Sequence, residues 1–171
     1  MNVIIKSTDL TKLLLENGFP FEKIQIADGN YVVPTQGAID DFAKRYFDFL
    51  VSNSLDKWVQ DTWDCDDFSF LAKGLASIDN ALWQKENNNK GCSLAFGIAW
   101  IMIEQGEHAV NVAALKNSQG QLELVFFEPQ IQQIQTGTTI DQNGNSQEIT
   151  TSLCLQKIPK ESVLSCVWAY F

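Results

Sequence analysis

The sequence is poor in histidine: the chain of 171 residues contains only one, His108. Any mechanism that needs an imidazole must use His108, and a site built from two histidines is excluded. Cysteine is also sparse. The four cysteines form no C-x-x-C pair, so a zinc site would need thiolates from distant segments. A disulfide framework is a poor explanation for cysteines in a domain of this size.

Basic residues are few compared with acidic ones. The chain has 12 Lys and Arg against 21 Asp and Glu, which gives a net charge of −9 and a pI of about 4.4. Nucleic acids and anionic membranes attract proteins through basic surfaces, so we expect neither as a partner. The excess of acidic residues is compatible with a bound cation.

Long apolar segments are missing as well. The first ten residues lack the basic and apolar regions of a secretory signal peptide. The longest strongly apolar run, residues 94–103, is about half of the ~20 residues that a membrane helix needs. We therefore expect a soluble protein that is cytoplasmic by default, while release without a signal peptide stays open.

The length predicts a single domain over residues 1–171. In the first half, apolar residues at helical spacing predict helices near residues 10–14, over 39–50 and over 65–83. The second half changes to a strand-like pattern, although periodicity alone does not tell whether the apolar run 93–104 is a strand or a helix. Short strands are predicted at 23–27, 31–33, 108–115, 121–128 and 162–171, and a further hairpin is predicted over 138–151 with its turn at Asn143-Gly144. Helices followed by strands predict an α+β fold.

Three short motifs carry the candidate chemistry. The string W-D-C-D-D-F at 63–68 places a thiol at the start of a helix, where the helix dipole lowers the pKa of a thiol. G-E-H-A-V-N-V at 106–112 places the only imidazole at the start of a strand. F-F-E-P-Q at 126–130 places a carboxylate at the end of the neighbouring hairpin strand. Thiol catalysis requires this set of groups: a thiol, an imidazole and a third group that orients the imidazole.

These motifs resemble those of papain-like and transglutaminase-like cysteine proteases. Over roughly residues 31–130, the motifs resemble those of the C-terminal protease domain of the fairy-ring mushroom agglutinin, a domain that is calcium-dependent and uses a Cys–His–Glu triad. The resemblance implies a papain-like domain in which N-terminal helices pack on a C-terminal antiparallel sheet. It also implies Cys65 as nucleophile, His108 as general base and Glu128 as the orienting carboxylate.

The same resemblance places Asp66 and Asp67 near calcium. There is also a physical motive for a cation, because two carboxylates beside a thiol oppose its ionisation, and Ca²⁺ prefers carboxylate oxygens. Gln60 resembles the upstream glutamine that supports the oxyanion in papain-like enzymes, although its spacing differs. We place Trp63 in the core or the cleft wall, and Gln130 near the site.

Three functions remain open at this point. The first is a cysteine peptidase, a hydrolase that cleaves a peptide or protein substrate through an acyl-thioester at Cys65. The second is a transglutaminase-type acyl transferase with the same triad and an amine as acceptor. The third is a non-catalytic binding module that keeps the fold. The sequence places the peptidase first and leaves the substrate and the oligomeric state undetermined.

Overall fold

The computed structural model describes residues 3–59, 62–87, 91–140 and 146–171. Over these ranges the chain forms three α-helices, two β-sheets and two short 3₁₀ turns, at Phe21–Lys23 and Lys160–Ser162. The helices are α1 (Ser7–Glu16), α2 (Gln36–Ser52) and α3 (Cys65–Glu86). The strands are β1 (Val3–Lys6), β2 (Ile24–Gln25), β3 (Asn30–Val33), β4 (Ser93–Leu94), β5 (Phe96–Ile103), β6 (Gly106–Lys116), β7 (Leu122–Ile140), β8 (Ser146–Ile158) and β9 (Ser165–Tyr170).

The three helices confirm the predicted helical segments, and local hydrogen bonds explain two of their starts. The hydroxyl of Thr35 caps α2 by accepting a hydrogen bond from the N–H of Ala38 at 3.1 Å. At α3, the carboxylate of Asp67 accepts from the N–H of Asp64 at 3.2 Å. The second cap fixes where α3 begins and so where Cys65 lies.

The two sheets confirm an α+β fold. The smaller sheet has the order β1-β3-β4, and the larger sheet has the order β2-β9-β5-β6-β7-β8. Neighbouring strands of the larger sheet are antiparallel except for the short parallel pair β2 and β9. The hairpin of β6 and β7 and the predicted strands on both of its arms are therefore confirmed.

Three sequence predictions need correction or completion. The strands near residues 24 and 31 belong to different sheets, because β2 pairs with β9 while the more buried β3 pairs with β1 and β4. The ambiguous run 93–104 is β4 and β5, one strand in each sheet. The simple order of helices first and strands later is wrong, since β1 precedes α1. The predicted turn at 143–144 lies outside the described residues.

Helices cover both faces of the larger sheet. The sequence predicted helices packed on an antiparallel sheet but did not specify which face each helix covers. Side chains alternate between faces along a strand. On β6 and β7, Val112, Ala114, Leu124 and Phe126 pack in one core cluster with Leu10, Leu13 and Leu14 of α1. Their neighbours Ala113, Leu115 and Phe127 pack in a second cluster with apolar residues of α2 and α3. The sheet is thus the middle layer, and α3 lies on it.

A buried asparagine ties α3 to the sheet. Asn111 is fully buried on β6, and its amide donates to the carbonyl of Ser69 on α3 at 3.0 Å and to that of Gly97 on β5 at 3.1 Å. Gly97 itself has no room for a side chain, because a Cβ there would overlap the carbonyl of Tyr170. These contacts fix the first turns of α3 against β5 and β6.

None of the helices among the described residues is long and apolar enough to cross a membrane. The prediction of a single domain over residues 1–171 stays a prediction.

Candidate functional site

Cys65 is the first residue of α3, as the motif predicted. Its thiol is half-buried and forms no disulfide, and its carbonyl accepts a hydrogen bond from the hydroxyl of Ser69 at 2.8 Å. The start of a helix carries free N–H groups and the positive end of the helix dipole. Cys65 therefore lies in a setting that favours negative charge.

The only histidine pairs with the predicted carboxylate. The Nε2 atom of His108 lies 2.6 Å from Oε2 of Glu128, and the two side chains are 19% and 12% exposed. The other oxygen of Glu128 accepts from the N–H of Gln130 at 3.1 Å. The pairing of β7 with β8 shifts register after Glu128, and such a bulge redirects side chains locally. Strand geometry thus holds the carboxylate against the imidazole.

Cys65 completes this row of three side chains. The pKa of His108 is raised from 6.5 to about 9, first by a hydrogen bond with the Cys65 side chain and then by the hydrogen bond with Glu128, while burial opposes the rise. The structure therefore brings together the three residues that the sequence proposed. At neutral pH the imidazole is mostly protonated and lies between the thiol and the carboxylate.

Acidic side chains crowd the start of α3. One ligand atom from each of Asp64, Cys65 and Asp66 lies within 4.8 Å of the other two. The pKa of Asp66 is raised, chiefly because its carboxyl group hydrogen-bonds with that of Asp64. One oxygen of Asp64 is buried and has no hydrogen-bond partner among the described residues. Crowded carboxylates and an unpartnered buried oxygen fit a hard cation such as Ca²⁺.

This cluster differs from the predicted ligand pair. Asp66 belongs to it, whereas the carboxylate of Asp67 is engaged with the backbone N–H of Asp64. Asp64 was missed as a candidate, although its place beside the D-C-D-D string is a signal that could have included it.

A cavity of about 410 Å³ opens beside the imidazole and the carboxylate. Its volume falls in the usual range for small-ligand pockets. His108 and Glu128 line one part of it, and the other lining residues are Ile103, Glu104, Gln105, Gln156, Ile158, Pro159, Glu161, Ser162 and Leu164. No sequence motif marks most of these residues as a site. They come from the β5–β6 turn, from β8 and from the 3₁₀ turn after β8, and only the strand order of the folded sheet brings these segments together. Cys65 is not part of the lining.

The remaining predicted residues have different placements. The indole of Trp63 donates to the carbonyl of Leu55 at 2.7 Å, and its ring centroid lies 5.0 Å from that of Phe68, so Trp63 is a packing residue. Gln130 lies near the site, as its backbone contact with Glu128 shows. Gln60 lies outside the described residues.

Comparison with known proteins gives a family and a fold. A family model described as "Agglutinin C-terminal" matches residues 31–134, which is more than half of the chain. Two solved structures share the fold: the complex of PSL1a with E64 (TM-score 0.64, 20% identity) and Polyporus squamosus lectin bound to the human-type influenza-binding epitope Neu5Acα2-6Galβ1-4GlcNAc (TM-score 0.61, 21% identity). Each alignment covers 98% of this chain but only 51% and 49% of those chains, so the protein spans about half their length. No curated protein matches the sequence significantly.

These comparisons contradict the expectation of an enzyme. The matched family is described as part of an agglutinin, and one of the similar structures is a lectin bound to a glycan. Neither description names a peptidase, another hydrolase or an acyl transferase. The prediction of a cysteine peptidase acting on a peptide substrate is therefore wrong on these findings, and the non-catalytic alternative agrees with them better. The thiol–imidazole–carboxylate row is typical of a catalytic chemistry that the family description does not support.

Proposed function

Because the chain belongs to the Agglutinin C-terminal family, we propose that it is a non-catalytic binding module whose ligand is a carbohydrate. The cavity of about 410 Å³ beside His108 and Glu128 is the observation that carries the proposal. Its polar groups are a charged imidazole, carboxylates, amides and a hydroxyl. Such a set can donate to and accept from several sugar hydroxyl groups at once.

The charges around the cavity favour a neutral sugar. Glu104, Glu128 and Glu161 bring three carboxylates to the lining, against the single positive charge of His108. An anionic sugar such as N-acetylneuraminic acid would meet a repulsive potential there. Hydroxyl groups, in contrast, donate readily to carboxylates, and such hydrogen bonds are stronger than those between neutral groups. The ligand class is therefore a neutral saccharide.

The three central residues take new roles in this proposal. His108 and Glu128 contact the ligand directly, since both line the cavity. Cys65 lies outside the lining and acts through its contact with His108, so it is a positioning residue. Because the imidazole is already hydrogen-bonded to Glu128 and Cys65, it offers a sugar a fixed positive charge rather than a free N–H, and it is ordered before the ligand binds.

Calcium is a second part of the proposal. Asp64 and Asp66 are the ligands that the cluster geometry favours, with Asp67 as a further carboxylate in the same turn. The Asp64 carboxyl group beside Asp66 raises the pKa of Asp66, and a bound Ca²⁺ would offset the repulsion between the two carboxylates. Coordination by Asp64 and Asp66 would tie together the two residues that flank Cys65.

The finer assignment of the architecture to the papain-like and transglutaminase-like class stays a proposal about fold alone. It is supported by the start of α3 at Cys65, the neighbouring strands β6 and β7, and the meeting of their side chains at His108 and Glu128.

Isothermal titration calorimetry tests the proposed function. Methyl β-galactopyranoside, N-acetylglucosamine and N-acetylneuraminic acid are titrated into the protein, and we expect binding of a neutral sugar but not of the acid. Gln156→Ala, in the cavity, should weaken binding by about tenfold, which corresponds to the loss of one or two hydrogen bonds. Gln119→Ala, on an exposed turn, is the matched control and should bind like the wild type. Absence of binding for all three sugars, or equal affinity in both variants, would overturn the proposal.

A further inference from the structure

A second cavity, of about 300 Å³, lies between α2 and α3 and beside the small sheet. It shares no lining residue with the cavity at His108. Its floor is apolar and includes Val33, Ile39 and Phe42, and Trp83 forms part of the wall. An apolar floor with an aromatic side and a few polar groups is typical of small-ligand sites.

The polar groups of this cavity are charge-balanced. Arg45 donates from Nε and Nη2 to the same oxygen of Asp79, at 3.1 and 2.6 Å. The other carboxylate of the lining, Asp41, has the ammonium group of Lys44 at 3.5 Å. Since each carboxylate already has a cationic partner, neither an anion nor a cation gains much from entering. The electrostatics favour a neutral ligand.

Hydrogen-bonding capacity remains at the rim. The amide nitrogen of Asn80 donates to the carbonyl of Cys92 at 3.1 Å, which leaves the amide oxygen as an acceptor. The hydroxyl oxygen of Thr35 accepts from the N–H of Ala38, which leaves the hydroxyl proton to donate. Asp79 keeps a second carboxylate oxygen for a ligand hydroxyl. The rim therefore offers both donors and acceptors next to an indole ring.

We propose that this cavity is a second saccharide site, in which a neutral pyranose ring packs its apolar C–H face on Trp83 and directs its hydroxyl groups to Asp79, Asn80 and Thr35. A pyranose has one face of C–H groups and an edge of hydroxyl groups, which matches a lining with an aromatic wall and a polar rim. The ligand class rests on the proposed carbohydrate-binding function, whereas the location rests only on this cavity. Two separate sites would let one chain bridge two glycans.

NMR titration distinguishes the two cavities, because each contains a distinct reporter. The ring protons of the single histidine report on the first cavity, and the indole N–H of Trp83 reports on the second. Methyl β-galactopyranoside and N-acetylglucosamine are the probes. We expect a saturable shift of the Trp83 signal, with an affinity that differs from the one reported by His108.

Three variants sharpen the test. Trp83→Ala should weaken binding at the second site by at least about tenfold and leave the His108 response unchanged. Trp83→Phe keeps an aromatic wall and should retain part of the affinity. Since this variant lacks the indole N–H, its binding is measured through the backbone amide of Asn80. A partly retained affinity shows that the loss in Trp83→Ala is not caused by a folding defect. Trp58→Ala removes an indole that is 54% exposed and lines neither cavity, and it should change nothing.

The possible outcomes separate the two proposals. A shift of the Trp83 signal without any response of His108 supports the second site and overturns the first. A response of His108 alone overturns the second site and keeps the first. Silence of both reporters with both sugars, or an unchanged affinity in Trp83→Ala, overturns the second saccharide site.

Discussion

Replacement of Glu128 by Gln changes the contact between Glu128 and His108, while the shape of the side chain at position 128 stays nearly the same. The carboxylate lies 2.6 Å from Nε2 of His108, and both side chains are largely buried. The amide of glutamine can still accept a hydrogen bond, but it carries no charge. The change therefore removes the electrostatic support of the imidazolium and leaves the packing almost intact.

The size of the effect follows from the pKa of His108. The rise from 6.5 to about 9 is worth at most about 3.5 kcal/mol of folding free energy, at roughly 1.4 kcal/mol for each pH unit. Cys65 is the larger contributor to the rise and Glu128 the next. We therefore expect Glu128→Gln to cost about 1.5 kcal/mol and to lower the pKa of His108 by about one pH unit.

The sign of the pH dependence is fixed by the direction of the shift. Because the pKa of His108 is raised by folding, its contribution is fully present below about pH 6.5 and is lost as the pH rises through about 9. The free energies of unfolding of wild type and variant should therefore differ most near pH 6 and converge near pH 10. Urea denaturation at these two pH values measures the difference, and NMR of the histidine ring protons gives the pKa directly.

Glu107→Gln is the matched control, because it removes the same charge at an exposed residue next to His108. It should shift the pKa of His108 only slightly. A His108 pKa near 6.5 in the wild type, or a loss of stability in Glu128→Gln that increases with pH, would contradict the prediction.

Three further predictions test the fold and the cation proposal. Gly97→Ala should destabilise the protein by several kcal/mol, since its Cβ would overlap the carbonyl of Tyr170, whereas Gly74→Ala, in an open part of α3, should stabilise it by about 0.5–1 kcal/mol; urea denaturation measures both. Asn111→Ala should cost about 2–3 kcal/mol in the same assay, because two buried backbone carbonyls lose their donor; a cost below about 0.5 kcal/mol would contradict the clamp. Ca²⁺ at about 100 times its dissociation constant should raise the free energy of unfolding by about 2.7 kcal/mol, with no gain in Asp66→Asn; an equal response to Mg²⁺ in both proteins would contradict the proposed site.

Periodicity was sufficient to predict the helices but not the partners of the short strands. The spacing of apolar residues in α2 and the capping groups before α3 are local signals, and both helices begin close to the predicted residues. The pairing of β2 with β9 joins residues more than 140 positions apart. Nothing in the local sequence near residue 24 specifies that pairing, because it depends on the order of the whole sheet.

The candidate site also has one part that local sequence predicts and one part that depends on the whole sheet. Cys65, His108 and Glu128 could be predicted because a helix start and a hairpin bring them together at fixed spacings. The cavity beside them could not be predicted, since Gln156 and Ser162 reach it only through the pairing of β7 with β8 and the turn that follows. The function was the least predictable part. A thiol, an imidazole and a carboxylate in a row are typical of a catalytic site, but the same row can also serve only to hold a charged imidazole in place.

The central claim is that this site binds a ligand and does not turn it over. Incubation of the protein with an unstructured peptide mixture and Ca²⁺, followed by mass spectrometry of new peptide termini, tests that claim most directly. We expect the wild type and Cys65→Ala to leave the same peptides intact. Cleavage by the wild type that disappears in Cys65→Ala would contradict it.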